Sequence, residues 1–258
     1  LVDKVGRFRI GMEGSQDYDL ALRCTEQIDA TQIIHIPRVL YHWRMHAGST
    51  AMSSSEKPYA QTAGQRALNE HLRRTGIAGH AELLDFGMYR IHYDLPKNEP
   101  LVSLIIPTRN AHQLVRQCIE SIHHKTIYRN YEIILIDNGS DDKESVEYFE
   151  TLSKIDGIRI VRDDGEFNYS ALNNKAVKLE NGELIGLINN DIEVITPEWL
   201  SEMVSLAVQP NAGAIGARLW YPDDRLQHGG VIMGPLGLAV HAHKMLRKGH
   251  HGYFGRAS

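Results

Sequence analysis

Between residues 101 and 219, short apolar runs alternate with segments of helical periodicity. Residues 101–107 (LVSLIIP), 132–136, 158–161 and 184–188 are compact apolar stretches bounded by turn formers, too short for typical helices. Runs of this kind read as strands, and the last as a strand buried on both faces. Pro107 is expected to end the first strand, because proline offers no N–H to a ladder. Between the runs, residues 112–121 and the following Ile122 place Leu114, Cys118, Ile119 and Ile122 toward a core. Residues 143–153 and 168–178 read as helices, the latter carrying Leu172, Ala176 and Val177, and another helix opens at Pro197, where proline suits a first turn. Residues 212–219 form one more short strand. Repeated β-α-β units predict an α/β fold with a mostly parallel sheet and helices on both faces.

Residues 1–95 follow a different pattern. Residues 15–25 are helical, with Leu20, Leu22 and Cys24 apolar and Asp17 and Asp19 in the first turn, where acids suit the helix dipole. Residues 31–37 and 39–44 are expected as two short strands around Pro37, and residues 47–58 as a small, polar loop. Residues 59–76 form an amphipathic helix closed by Gly76. Residues 89–100 hold two prolines and read as an extended linker. The expected division is therefore residues 1–95, a smaller α+β half-domain, and residues 96–258, the α/β part.

Composition narrows the class. With 258 residues, 42% hydrophobic and 23% charged, the chain has enough material for a packed core of ordinary globular type. A net charge of −4 argues against bulk electrostatic binding to nucleic acid. No apolar run approaches the roughly 20 residues of a bilayer-spanning helix, and no signal-peptide pattern is present. Cys24 and Cys118 lack a CxxC neighbour, which favours buried free thiols in a reducing compartment. The chain opens at Leu1 and stops after GYFGRAS, so it reads as a piece of a longer polypeptide.

Candidate chemistry sits at strand ends. Residues 182–194, GELIGLINNDIEV, run from an apolar strand into Asn189, Asn190 and Asp191. In an open α/β sheet that is where ligands bind. A carboxylate there suits Mg²⁺ or Mn²⁺ shared with phosphate oxygens. A polar strand end that caps the next helix would look the same. Asp137, followed by Asn138-Gly139-Ser140-Asp141-Asp142, is placed to accept N–H donors of a nucleobase or ribose hydroxyls, although an ordinary βα loop explains that turn equally well. No GxGxxG follows any strand, against a Rossmann dehydrogenase, and IIPTRNAHQ lacks the glycines of a nucleotidyltransferase phosphate loop.

Taken in order, IIPTRN, IDNGSDD, FNYSALNNKAV and NNDIEV resemble the family 2 glycosyltransferases, over residues 101–219 and nearest the bacterial branch that builds O-antigen and other surface polysaccharides. The resemblance implies a GT-A (nucleotide-diphospho-sugar transferase) fold, Rossmann-like, with a mostly parallel sheet. It implies that Pro107, Thr108 and Asp137 line a nucleotide pocket with Asn110, Asn138, Asn168 and Asn190, and that Asp164 lies near the base or ribose. Asn189 and Asp191 fall on the family's metal-binding Asp-x-Asp, with asparagine replacing the first acid. Residues 11–23, GMEGSQDYDLALR, resemble the family's later Glu-Asp-x-Asp-Leu segment, which makes Asp17 the general base and Asp19 a helix-start carboxylate. Residues 36–50 resemble the strand after it, with Arg44 and His46 toward the diphosphate or metal and His42 second; satisfied core or surface histidines are the alternative.

The implied reaction is an inverting displacement, assisted by Mn²⁺ or Mg²⁺, from a nucleotide-diphosphate sugar donor to a saccharide or lipid-linked acceptor. The implied place is cytoplasmic, with peripheral contact at the inner membrane through the basic stretch 244–251; a solvated face explains that stretch as well. The chain then holds the tail of one transferase domain and the head of the next, and the halves are expected to associate within or between chains. Residues 226–244 are expected as a loop in which His228, His241 and His243 either touch substrate or are simply solvated. The alternative function is a catalytically inactive nucleotide-sugar-binding or scaffolding segment of a larger transferase, which Asn189 favours.

Overall fold

The computed structural model describes residues 1–42, 58–234 and 238–252. The chain divides into two compact units, Leu1–Asp94 with His251–Ser258, and Leu95–His250.

In the first unit, helices α1 (Gln16–Thr25) and α2 (Pro58–Thr75) pack with a hairpin of β1 (Gly79–Leu83) and β2 (Tyr89–Tyr93). Proline opens α2, where its missing N–H costs nothing, and Gly76, at φ +71, follows its last turn. The buried stripe of α2 is small, with Ala60, Ala63, Gly64 and Ala67 ahead of Leu68 and Leu72. Small residues let the hairpin come close: a Cβ on Gly64 would lie 2.2 Å from the Tyr89 hydroxyl, which donates to the Gln61 carbonyl at 2.8 Å. Charge fastens α1. Asp19 is fully buried and accepts from Arg9 (3.1 Å) and Arg23 (2.7 and 3.0 Å), while Arg9 also meets Glu70 of α2 at 2.7 Å. Glu26 binds His71 and Arg74, each at 2.7 Å.

Two expectations change here, while Asp19 stands in the first turn of α1 as expected and is the centre of a buried ion cluster. Residues 89–93 are not linker but β2, whose alternating Tyr-Arg-Ile-His-Tyr pairs with β1; the prolines lie beyond it. Among the described residues, 33–42 have no strand pairing after a short 3-10 turn at Ala30–Gln32, and expected strand residues 43 and 44 lie outside the described residues.

The second unit is built on a four-stranded parallel sheet in the order β5-β4-β3-β6. Its strands are β3 (Val102–Thr108), β4 (Tyr131–Asp137), β5 (Ile158–Arg162) and β6 (Leu184–Leu187). Helices α3 (His112–Lys125), α4 (Lys143–Leu152), α5 (Tyr169–Val177) and α6 (Trp199–Ala207) cover it. On one face Leu104, Ile106, Ile133 and Leu135 meet Val115, Cys118 and Ile122 of α3, Phe149 and Leu152 of α4, and Leu200 and Val204 of α6. On the other, Ile105, Ile134 and Ile136 meet Leu172 and Ala176 of α5. Both faces of β3 and β4 are thus dry, and each such aliphatic side chain contributes about 1.5–3 kcal/mol of burial. The mixed α/β architecture with its parallel sheet is consistent with the GT-A fold.

Several sequence expectations are corrected in this unit. β6 is an edge strand, and Ile185 (45%) and Leu187 (54%) are exposed rather than buried on both faces. Leu114 points outward from α3 and is exposed. Pro107 does not end β3; it lies opposite Ile136, beyond the four residues of β3 that β6 reaches, where its missing N–H leaves no β6 partner unsatisfied. Residues 212–218 form no strand, leaving only β7 (Leu219–Trp220), which pairs with β8 (Leu226–His228). The expected loop 226–244 carries β8 and a second small ladder, β9 (Val231–Met233) with β10 (Ala239–His241). Cys118 is buried as expected, but Cys24 is only half-buried.

Candidate functional site

The carboxyl ends of β3, β4 and β6 lie side by side. β3 ends at Thr108 opposite Asp137, the last residue of β4. After β6, the chain turns at 189–191 and Asn190 donates to the Thr108 hydroxyl at 2.9 Å. The predicted residues Thr108, Asp137 and Asn190 therefore converge at one sheet end.

Asp137 is buried, and both carboxylate oxygens are engaged within the protein. One accepts the Ser140 N–H at 2.8 Å, and the other accepts Arg162 at 2.6 Å. Arg162 ends β5 directly opposite Asp137 and also donates to the Ser140 carbonyl (2.8 Å) and Asp164 (2.7 Å). Asp164 and Asp137 together raise the Arg162 pKa. Asp137 is thus the anchor of an acid–guanidinium–acid chain, and the group this chain presents outward is the guanidinium with exposed Asp164. Sequence reasoning missed Arg162; the signal was a cation ending the strand next to the one that ends in Asp137. Gly139 sits at φ +72, a conformation that a Cβ on the residue itself would disfavour, with Asp164 3.7 Å from where that Cβ would be.

The asparagines divide by task. Asn110 ties the loops after β3 and β4: its N–H donates to the Ser140 hydroxyl (2.7 Å), and its side chain exchanges hydrogen bonds with Asp141 (2.9 and 3.0 Å). Asn138 is buried and donates to the carbonyls of Asp163 (3.0 Å) and Gly165 (2.9 Å), while its own Oδ1 has no hydrogen-bond partner among the described residues. Asn168 caps α5, accepting the Ala171 N–H at 2.9 Å. A cap of this kind satisfies one of the helix's free donors.

Asn189 and Asp191 are exposed on the turn after β6. The turn rests on α3. The Cys118 thiol donates to the Asn189 carbonyl (3.6 Å), Ser121 accepts the Val194 N–H (3.1 Å), and Lys125 donates to the Val194 carbonyl (2.9 Å) and Glu193 (2.6 Å). Burial pushes the Cys118 thiol up to about 12. Among the described residues, no group of three or more His, Cys, Asp or Glu could by itself hold a metal. One exposed carboxylate with an adjacent amide oxygen instead fits an ion that completes its shell with phosphate oxygens and water.

Asp17 belongs to the first unit. It is exposed on α1 and accepts the Tyr18 N–H at 2.8 Å. Arg44 and His46 lie outside the described residues, and His42 is exposed.

Two relatives align along nearly the whole chain. "Uncharacterized protein y4gI" of Sinorhizobium fredii is 48% identical over 261 residues, 99% of this chain and 28% of the relative. "O-antigen biosynthesis protein RfbC" of Myxococcus xanthus is 37% identical over 248 residues, 95% of this chain and 19% of the relative. The chain thus spans less than a third of either protein. Among solved structures, the mannosyltransferase PcManGT from Pyrobaculum calidifontis, in complex with GDP-Man and Mn²⁺, is 21% identical with a TM-score of 0.45. That likeness covers 51% of this chain and 39% of that one. The profile described as "Glycosyl transferase family 2" matches residues 103–252, the span that holds the parallel sheet, its carboxyl-end turns and the small hairpins, and the chain belongs to that family.

Proposed function

We propose that residues 96–258 are the donor-binding part of a glycosyltransferase domain in bacterial surface-polysaccharide synthesis, and residues 1–95 the closing part of a preceding one. The donor is a nucleotide-diphosphate sugar, and the acceptor a saccharide or lipid-linked saccharide. The observation that carries this reading is Asp191: an exposed carboxylate on a turn held by Thr108 on one side and by α3 on the other, at the ligand-binding end of a parallel sheet. The O-antigen name of the Myxococcus relative supports the pathway class.

Asp191, with the amide oxygen of Asn189, would hold a Mg²⁺ or Mn²⁺ ion, which when bound neutralises the charge developing on the leaving diphosphate. The exposed face of Arg162 and Asp164 meets the base or ribose, with Asp137 fixing the guanidinium in place. The acceptor hydroxyl is a poor nucleophile until a carboxylate takes its proton. Asp17, exposed at the start of α1, serves that role for the domain whose closing part it occupies, by direct displacement with inversion. Arg44 and His46 are assigned to the diphosphate and metal of that same domain. Peripheral contact with the inner membrane belongs to this proposal; among the described residues no helix is long and apolar enough to cross a membrane.

The second reading, a binding or scaffolding segment without turnover, is favoured by the uncharged Asn189. Calorimetric titration with UDP and dTDP, with and without Mn²⁺, tests the donor site. Metal-dependent binding that Asp191→Ala abolishes is expected. A folded chain that binds neither nucleotide, or binds equally after Asp191→Ala, overturns the assignment. Binding without sugar transfer to any acceptor in the full-length protein supports the second reading.

A further inference from the structure

The geometry points to a second cation site, between His228 and His241, selective for a borderline transition metal of the Zn²⁺, Ni²⁺ or Co²⁺ type. The two Nδ1 atoms are 3.0 Å apart, the ring centroids 5.1 Å, and the ring planes stand at 87°. Two imidazole nitrogens about 2.0–2.1 Å from one ion, at roughly 90–110° to each other, lie about 2.9–3.4 Å apart. The observed separation falls inside that window. An imidazole–imidazole hydrogen bond has a similar length but requires one ring to carry its proton on Nδ1 and the other to leave Nδ1 bare.

Backbone ladders place both residues. His228 ends β8, whose Leu226 exchanges hydrogen bonds with Met245 (2.7 Å) and Leu246 (2.8 Å). His241 ends β10 opposite Val231, and the next residue, Ala242, donates to the Gly230 carbonyl at 2.9 Å. The His228 ring lies against Gly216, where a Cβ would come within 3.2 Å of Nε2. The pair is therefore positioned by ladders on both sides, thirteen residues apart in sequence. Among the described residues no third His, Cys, Asp or Glu completes a cluster, so two imidazoles would leave most of the coordination sphere to water or to oxygens of a saccharide or phosphate. Imidazole favours these metals over Mg²⁺, the reverse of the oxygen donors Asn189 and Asp191. The site uses none of the residues of the first and stands independently of the transferase reading.

The test is Co²⁺ titration of the whole chain in excess Mg²⁺, followed by visible absorption, with calorimetric Zn²⁺ titration alongside. Uptake of one ion per chain is expected, weakened roughly tenfold or more in His228→Gln and in His241→Gln and retained in Asp191→Asn. No uptake, or uptake that survives both histidine substitutions, overturns the proposal; the second result would place adventitious ions elsewhere, as at the adjacent His123 and His124. If either variant fails to fold, ¹⁵N NMR of the unsubstituted protein decides. Zn²⁺ must then shift the Nδ1 signals of His228 and His241 together, and unmoved signals would leave only a hydrogen bond.

Discussion

Asp19 and Asp137 are both buried acids answered by arginine, yet they do different work. Asp19 is enclosed by Arg9 and Arg23, so its value is in holding α1 to the rest of its unit. Burial pushes its carboxyl up, but the hydrogen bonds from Arg9 and Arg23 outweigh that and hold it below the usual range. A depressed folded-state pKa stabilises above the unfolded value of about 3.9, and that contribution is lost as pH falls through the folded value. Thermal melts from pH 6 downward should therefore show acid destabilisation of the first unit, reduced in Asp19→Asn. Asp19→Ala leaves Arg23 buried without its carboxylate and should cost about 3 kcal/mol in denaturant titrations at neutral pH. A melting curve unchanged by either substitution would refute the structural role. The sequence alone suggested only a pair of acids at a helix start, because Arg9 lies ten residues back and nothing local reveals that it returns to Asp19. Arg162 escaped notice for a similar reason: its pairing with Asp137 is a matter of strand register, twenty-five residues apart.

At the scale of elements, periodicity made β3, β4, β5 and α3 to α6 legible, because each has an apolar face long enough to carry a pattern. The two- and three-residue ladders of β7 to β10 were not, since strands that short depend on their partners rather than their own composition. β6 was recognised as a strand, but its apolar run suggested a central place, whereas the sheet leaves it at an edge. Asn168 shows where element and site compete for one residue. Its side chain is used as the cap of α5. Asn168→Ala should therefore lower stability by about 1 kcal/mol while nucleotide affinity, measured calorimetrically, stays within error. A loss of affinity at unchanged stability would place Asn168 in the donor pocket, as the family resemblance implies.

At the scale of the whole molecule, each unit leaves apolar surface uncovered. In the second, Ile185 and Leu187 project from the edge strand; in the first, Ile34 (84%), Val39 (81%) and Tyr41 (80%) stand out in a segment that has no strand partner among the described residues. An unpaired edge with apolar side chains is a template for association. Sedimentation velocity should show the chain associating as its concentration rises, and Ile185→Lys with Leu187→Lys should shift it toward the monomer. A chain that remains monomeric at every concentration would show that these surfaces are not adhesive.

Cys118 lies directly beneath the turn that presents Asp191, its thiol protonated at neutral pH because burial pushes it up to about 12. Only a thiolate reacts readily with an alkylating reagent, and none can reach Sγ while the turn is closed. The residue is therefore a built-in clock: in a Cys24→Ser background, its rate of alkylation, read by mass spectrometry, counts how often the turn lifts. Nucleotide and Mn²⁺ should slow that clock if they close the turn on α3, and leave it running unchanged if the site binds nothing.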